Sequence, residues 1–457
     1  MMNLSFFRDR DFFRNMLSIA VPVAFQQLIS ASLNMVDVLM VGQLGETSIA
    51  ALGLANQVFF LLILFLFGVT SGMAIFTAQF WGKRDAASIR LVLGIALMFS
   101  LAVSVLFTAA ALIFPETIMG FYTEDREVIE LGASYLRIVG FSYVMVAVVT
   151  SYVAVLRSVT LVKLTASVTV AALIFKTGLG YLLIFGIGGF PALGVRGAAL
   201  GTVSGWSFQL VLLLILVYAL KTPLAANPLT FFRFDRAFLL RVLGTSMPAA
   251  INEVFWSFGI TVYNAVYARI GTDSIAAVNI NATIEELFFV LFIGLGNACS
   301  VMVGNKIGAG QKEVSFEYGR RFLTLGVLGA LVAGALVISI REPFIGLGLY
   351  DISPAAADNL RMLMLVFSLS LWLRVHNFML FIGALRAGGD TRFAMFMEIF
   401  SIWVVGVPMA LLGGFVLHLP VYWVYVLVLA EEVVKAVVIQ FRFQSRKWIH
   451  DLVNAEG

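Results

Sequence analysis

Apolar runs of roughly 20 residues or more recur along this chain from one end to the other, and no other feature restricts its fold so severely. A helix of about 20 residues crosses a hydrocarbon core of roughly 30 Å, and inside that core every backbone N–H and C=O must be satisfied within the span or around a closed barrel. Strand-like alternation is absent, so helices do the spanning. The runs fall at 16–41, 49–79, 91–114, 130–156, 164–185, 193–220, 239–268, 274–304, 318–341, 358–385, 393–416 and 420–443, which predicts an all-α polytopic membrane protein of about twelve transmembrane helices. Composition agrees: 61% of residues are hydrophobic and 12% charged, where a soluble domain carries roughly a quarter charged, so water is not the main solvent. The first run is too long for a removable signal and is expected to be retained, and the stretch Phe6 to Arg14 before it reads as a surface-lying amphipathic stub.

The formal charge of +4 could suggest an anionic partner until the basic residues are placed. Arg8, Arg14, Lys83, Arg90, Arg157, Lys163, Arg236, Lys306, Lys312, Arg386, Arg392 and Arg446 all flank one face of the spans. By the positive-inside rule that face is cytoplasmic, with both termini on it, in a multi-pass protein of the cell membrane surrounded by lipid; no nucleic-acid partner is needed. The single cysteine, Cys299, can form no intramolecular disulfide, has no neighbouring ligand for a metal, and reads as packing.

A shift of 226 residues superposes the chain on itself. Pro22 falls on Pro248, Gly45 to Ala51 on Gly271 to Ala277, Gly68 on Gly294 and Gly82 on Gly308, while Leu156-Arg157 falls near Leu385-Arg386 after a small further shift. Each repeat holds an even number of spans, so the second copy enters the membrane from the same side as the first. Parallel repeats are related by a pseudo-two-fold axis along the membrane normal, with the cleft between them as the natural solute site. The division expected is 1–221 for an N-lobe, 222–238 for a cytoplasmic linker and 239–457 for a C-lobe. Gly197, Gly201, Gly205 and Gly296 suit close helix packing, and Pro22, Pro248 and Pro408 permit bends.

Three motifs in order then carry a resemblance: Asn34-Met35-Val36-Asp37-Val38-Leu39-Met40-Val41-Gly42-Gln43-Leu44-Gly45, the stretch Phe190 to Thr202, and Gly383-Ala384-Leu385-Arg386-Ala387-Gly388-Gly389-Asp390-Thr391-Arg392. Over essentially its whole length the chain resembles the MATE family of multidrug and toxin extrusion transporters, of the bacterial NorM kind. The resemblance implies a V-shaped pair of six-helix lobes that open alternately to each side and export organic cations in exchange for protons or sodium.

Ionisable groups inside spans cost roughly 2.5–3.5 kcal/mol each on insertion scales, so each is a functional candidate. Asp37 matches the family's N-lobe coupling-ion site. Two fifth-helix positions where many relatives carry polar side chains correspond here to Lys176 and Gly180, and Thr202, also at a family site position, is expected to hydrogen-bond Asp37. A tethered lysine cation competes with sodium and leaves a sodium cage incomplete. Asp37 and Lys176 are therefore expected to form an ion pair that a proton breaks by neutralising Asp37. In the second half, Glu253 matches the family's seventh-helix carboxylate only to within one helical turn, and the tenth-helix aspartate corresponds to Asn377.

Glu285 and Glu286 point about 100° apart on the eighth helix, so one is expected to face the cleft. A salt bridge from Glu285 or Glu286 to Arg374 is the structural alternative. His376 could add a proton relay. Glu431 and Lys435, spaced i,i+4, read as a local structural pair, with Glu432 and Glu398 undecided.

The candidate ion-coupling residues are thus Asp37, Lys176, Thr202, Glu253, Glu285 and Glu286, and the candidate substrate contacts Glu253, Glu286, Arg374 and Asn377. No cofactor or metal centre is expected, the protein is expected to act as a monomer, and the coupling ion is a proton, with sodium as the other candidate. Neither a nucleophile motif nor a zinc motif supports an intramembrane enzyme, and no filter-like segment supports a channel. The alternative within the same superfamily, a lipid-linked saccharide flippase, calls for a strongly basic cleft, whereas the cleft candidates here are mainly acidic.

Overall fold

A computed structural model of the chain describes residues 9–346 and 352–453, and all its regular structure there is helical. In the first half, α1 (Arg10–Gly42), α2 (Glu46–Lys83), α3 (Ala86–Ile113), the short α4 (Pro115–Tyr122), α5 (Arg126–Val139), α6 (Ser142–Ser158), α7 (Val162–Phe185) and α8 (Val195–Ala219) follow one another. In the second come α9 (Arg236–Ile270), α10 (Thr272–Gly308), α11 (Lys312–Gly346), α12 (Pro354–Phe378), α13 (Thr391–Phe400), α14 (Val407–Leu411) and α15 (Val421–Gln444).

Nine helical spans among the described residues are long and apolar enough to cross a bilayer, and the pair α5 and α6, bent by 52°, makes one further span. The remaining two runs are α9 and α15, of 35 and 24 residues, which are long enough but carry Glu253, Glu431, Glu432 and Lys435 within them. With these the twelve runs are each accounted for by helix. At the bend in the fourth run the Gly140 carbonyl accepts the Tyr143 N–H three residues on at 3.3 Å and also the Thr108 hydroxyl at 3.0 Å, a side chain inserted at the break. Residues 6–8 of the expected surface stub lie outside the described residues, and from Arg10 the chain is already in α1.

π-helical turns at Met379–Leu385, Ser401–Gly406 and Leu412–Val416 occur in the second half. The last two flank α14, where Pro408 has no N–H to return to residue 404; the widened turns take up that mismatch.

Two compact units result, Phe25–Ala250 and Met1–Ala24 with Ile251–Gly457. The repeat divides the sequence at 222–238, but the units change over inside α1 and α9, just after Pro22 and Pro248. Glycine explains the exchange. In the first unit a Cβ on Gly68 would lie 2.9 Å from Ala250 Cα, and one on Gly72 would lie 2.6 Å from Ser246 Cα, so α2 accepts the early part of α9 backbone to backbone. In the second, Gly294, the repeat counterpart of Gly68, lets α10 approach the Ala20 carbonyl, where an added Cβ would lie 2.5 Å away. The 222–238 segment is itself pinned to α3: Phe231 is fully buried, its carbonyl fills the space beside Gly94, and Arg90 Nε donates to the Pro223 carbonyl at 2.7 Å.

Each unit has its own apolar core, around Leu62, Leu66 and Tyr143 in one and Phe367, Leu371 and Tyr263 in the other. Large apolar side chains such as Leu106, Val332 and Phe441 stand outward, as a lipid solvent allows. Cys299 is fully buried in the space left by Gly383.

Candidate functional site

Within the unit Phe25–Ala250, Lys176 Nζ of α7 lies 2.7 Å from Asp37 Oδ2 of α1, with about a quarter of each side chain exposed. The lysine is placed by glycine. Glycines of α8 face α7 at this level: Gly201 meets the Gly180 backbone, and a Cβ on Gly205 would lie 2.6 Å from Lys176 Cβ. The aliphatic stem of Lys176 therefore runs across the bare face of Gly205, and its ammonium is delivered to the carboxylate.

Asp37 Oδ1 takes a second bond from Thr177 Oγ1 at 3.3 Å. This corrects the expected role of Thr202, whose hydroxyl returns to the Ala198 carbonyl of its own helix at 3.0 Å and faces the Tyr135 hydroxyl. A threonine inside a helix can always make that i−4 bond, and sequence alone does not reveal which partner wins. The partner that matters, Thr177, is adjacent to Lys176 and could have been found from that adjacency. Chemically, the arrangement is a carboxylate held by one cation and one hydroxyl, with about a quarter of its side chain not covered by protein.

Inside its spans the second unit contains two hydrogen-bonded polar networks, which act on each other through Arg374 and Glu432, and a buried clamp. In the clamp, Arg386 Nη1 meets Glu253 Oε1 at 2.7 Å, both side chains nearly enclosed, with the guanidinium 4.9 Å above the Phe381 ring. Glu253 is thus engaged by the arginine of the Gly383–Arg392 motif.

The first network joins Glu285 of α10 to Arg374 of α12 at 2.8 Å, with Asn281 Nδ2 donating to Glu285 at 2.6 Å and the Tyr425 hydroxyl of α15 bonded to both Glu285 and Arg374. Glu286, one residue on, is exposed and has no ion pair or hydrogen bond among the described residues. The 100° turn between neighbours separates the two acids as geometry requires.

The second network centres on Lys435 of α15, buried, 3.1 Å from Glu398 of α13 and 3.6 Å from Glu432. Asn377 Nδ2 donates to Glu432 Oε2 at 2.5 Å, and the Asn377 oxygen faces His376 Nδ1 at 3.1 Å, whose other ring nitrogen faces Gln440. Glu431 does not pair with Lys435 as its i,i+4 spacing suggests; it accepts a hydrogen bond from the Tyr263 hydroxyl of α9 at 2.5 Å. Lys435 goes instead to Glu398, which tertiary packing brings from α13, and to Glu432 three residues back on its own helix. Helical spacing shows only that a pair is allowed. Sequence reading left Glu398 and Glu432 unassigned and missed Tyr263 and Tyr425; the signal available was the density of acids in the last two spans.

An all-helical, polytopic membrane protein built from two like halves, with ion pairs such as Asp37–Lys176 and Glu285–Arg374 inside its spans, is the class that fold and site define. The family model described as MatE matches residues 22–182 and again 248–412, and the chain belongs to this family of transporters. The two matches begin at Pro22 and Pro248, the register of the internal repeat. An uncharacterized transporter YisQ from Bacillus subtilis is 25% identical over 95% of both chains. A probable multidrug resistance protein NorM from Rhizobium meliloti is 30% identical over 86% of this chain and 85% of its own. Among solved structures, the outward-facing conformation of a multidrug resistance MATE transporter of the MOP superfamily superposes with a TM-score of 0.83 at 19% identity, covering 95% of this chain and 96% of the other. A MOP superfamily transporter from Pyrococcus furiosus superposes with a TM-score of 0.81, also at 19% identity, over 95% and 96%.

Proposed function

We propose that the protein is a secondary active exporter of organic, mainly cationic amphiphilic compounds, exchanging them for protons by alternating access in the cell membrane, with both termini in the cytoplasm. The observation that carries the coupling is the Asp37–Lys176 pair. With Lys176 in place, the carboxylate already has its cation, and the second oxygen has a hydroxyl. A sodium ion entering would have to displace an ammonium and would gain few oxygen ligands, whereas a proton neutralises Asp37 directly and releases Lys176. Release and re-formation of one partly exposed ion pair is a change of charge state that can be tied to a change of conformation.

The relatives named as multidrug resistance proteins support a broad substrate range. The exposed, unpaired Glu286 carboxylate supports a preference for cations, since an anionic group near apolar side chains attracts an amphiphile of opposite charge. Glu253, Arg374 and Asn377 are engaged with protein partners, so any contact they make with a substrate requires those bonds to open.

Reconstituted protein with ethidium as the transported cation tests the reading. Asp37→Asn is expected to reduce proton-driven ethidium flux by about tenfold or more, and Lys176→Ala to uncouple flux from pH while ethidium still binds. Undiminished proton-driven flux in both variants would remove this pair from the mechanism.

A further inference from the structure

The buried acids of the second unit are not all compensated. Glu398 and Glu432 share Lys435, and Glu432 also receives Asn377. Glu285 has Arg374. Glu431, only 7% exposed, has no cation within ion-pair distance among the described residues; its partner is the neutral hydroxyl of Tyr263. Lys435, Glu432 and Glu398 act on it through space, the remaining titratable group facing it is Tyr267 of α9, and the turns packed against α15 from Ser401 to Val416 contribute none. Three carboxylates around one lysine leave an excess of negative charge in a low-dielectric interior, where an unpaired ion is expensive and a bound proton removes the cost.

The place where this occurs is not arbitrary. The two family matches open at Pro22 and Pro248 and close at Leu182 and Leu412, and on those ends Asp37 falls on Tyr263 and Lys176 on Gly406. The equivalent positions meet in both halves: a Cβ on Gly406 would collide with the Tyr263 hydroxyl and with Glu431 Oε2. In the first half the fifth helix fills this space with a lysine facing an aspartate. In the second the fifth helix leaves it bare, inside the π-helical turn Ser401–Gly406, and the sixth helix fills it with a carboxylate facing a tyrosine.

We propose that Glu431, seated between Tyr263 and Gly406, is a second proton-carrying site, so that each half carries one proton per cycle and two protons are exchanged for each substrate cation. A tyrosine suits the task because its hydroxyl donates to the carboxylate and accepts from the carboxylic acid, so the contact survives both states. The site rests on the proton-exchange reading above, which fails separately from it.

The readout is the substrate gradient sustained at rest in vesicles, with tetraphenylphosphonium as the cation and the membrane potential clamped at zero. One proton per cation sustains about a tenfold gradient per pH unit and two sustain about a hundredfold. Wild type is expected at the hundredfold value, Glu431→Gln at the tenfold value, and Glu431→Asp, which keeps a titratable acid, near wild type. A wild-type value of tenfold overturns the second site whether or not the variants fold, and a hundredfold gradient retained in Glu431→Gln places the second proton elsewhere and overturns it too. No dependence on pH in wild type would instead sink proton exchange altogether.

Discussion

Replacing Arg386 by methionine would test what the Glu253–Arg386 clamp contributes. The pair is 2.7 Å apart, with side-chain exposures of 6% and 11%, and the arginine also covers the Phe381 ring. Removing the cation leaves the Glu253 carboxyl buried without its partner, a situation that costs about 3–5 kcal/mol in stability. The reverse change, Glu253→Gln, keeps an oxygen that accepts from the guanidinium and is expected to cost less, about 1–3 kcal/mol. The double variant removes both charges at once and is expected to recover much of the loss seen in Arg386→Met. Thermal denaturation in detergent, followed by the monodisperse fraction on size exclusion, measures the order. Sequence reading assigned Glu253 to coupling and substrate binding, and the same variants address that assignment: stability falls in the order given if the pair is a clamp. Unchanged stability in Arg386→Met, together with lost transport in a fully stable Glu253→Gln, would refute the clamp.

Gly205→Ala places a Cβ 2.6 Å from Lys176 Cβ and is expected to push the lysine away from Asp37, reducing proton-driven ethidium flux several-fold with both charged residues intact; unaltered flux would show that Gly205 does not position it. In the loop ahead of α13, burial raises the Asp390 carboxyl, but hydrogen bonds and charge from His450 and Arg442 outweigh this and hold it below its usual 3.8. The group therefore adds stability above pH 3.8 that is lost as pH falls through the depressed value; Asp390→Asn should lower the melting temperature at pH 7 and weaken its acid dependence, which a pH series of melts would check. Gly388→Ala would drive a Cβ into the Trp448 ring and carbonyl and should undock the segment after α15, seen as faster proteolysis beyond Gln444 with transport retained.

Much of the architecture was legible because a bilayer leaves a chain few choices. Spans must be about 20 residues and apolar, and the repeat announced itself through Pro22, Gly68 and their counterparts. The exchange of helix segments between units was not legible, since Gly68 and Gly294 look like ordinary packing glycines until their partners, Ala250 and Ala20, are seen. At the site, the Asp37–Lys176 pair could be anticipated because opposite charges at matching depth in one half have few other partners. Glu285–Arg374 was readable for the same reason. Thr202 and Lys435 were misplaced in opposite ways: Thr202 keeps its local i−4 carbonyl instead of reaching Asp37, whereas Lys435 leaves its i−4 carboxylate for Glu398 of another helix and for Glu432. The π turn that seats Glu431 depends on Pro408 and Gly406 acting together with Tyr263, a combination spread over two spans with no one-dimensional signature.

The ion that drives this transporter can be read from transport itself. Ethidium flux in proteoliposomes of the wild-type protein should be followed with a pH gradient alone and then with a sodium gradient alone. Proton coupling requires concentrative flux with the pH gradient and none with sodium. Flux driven by sodium at equal pH on both sides would contradict it.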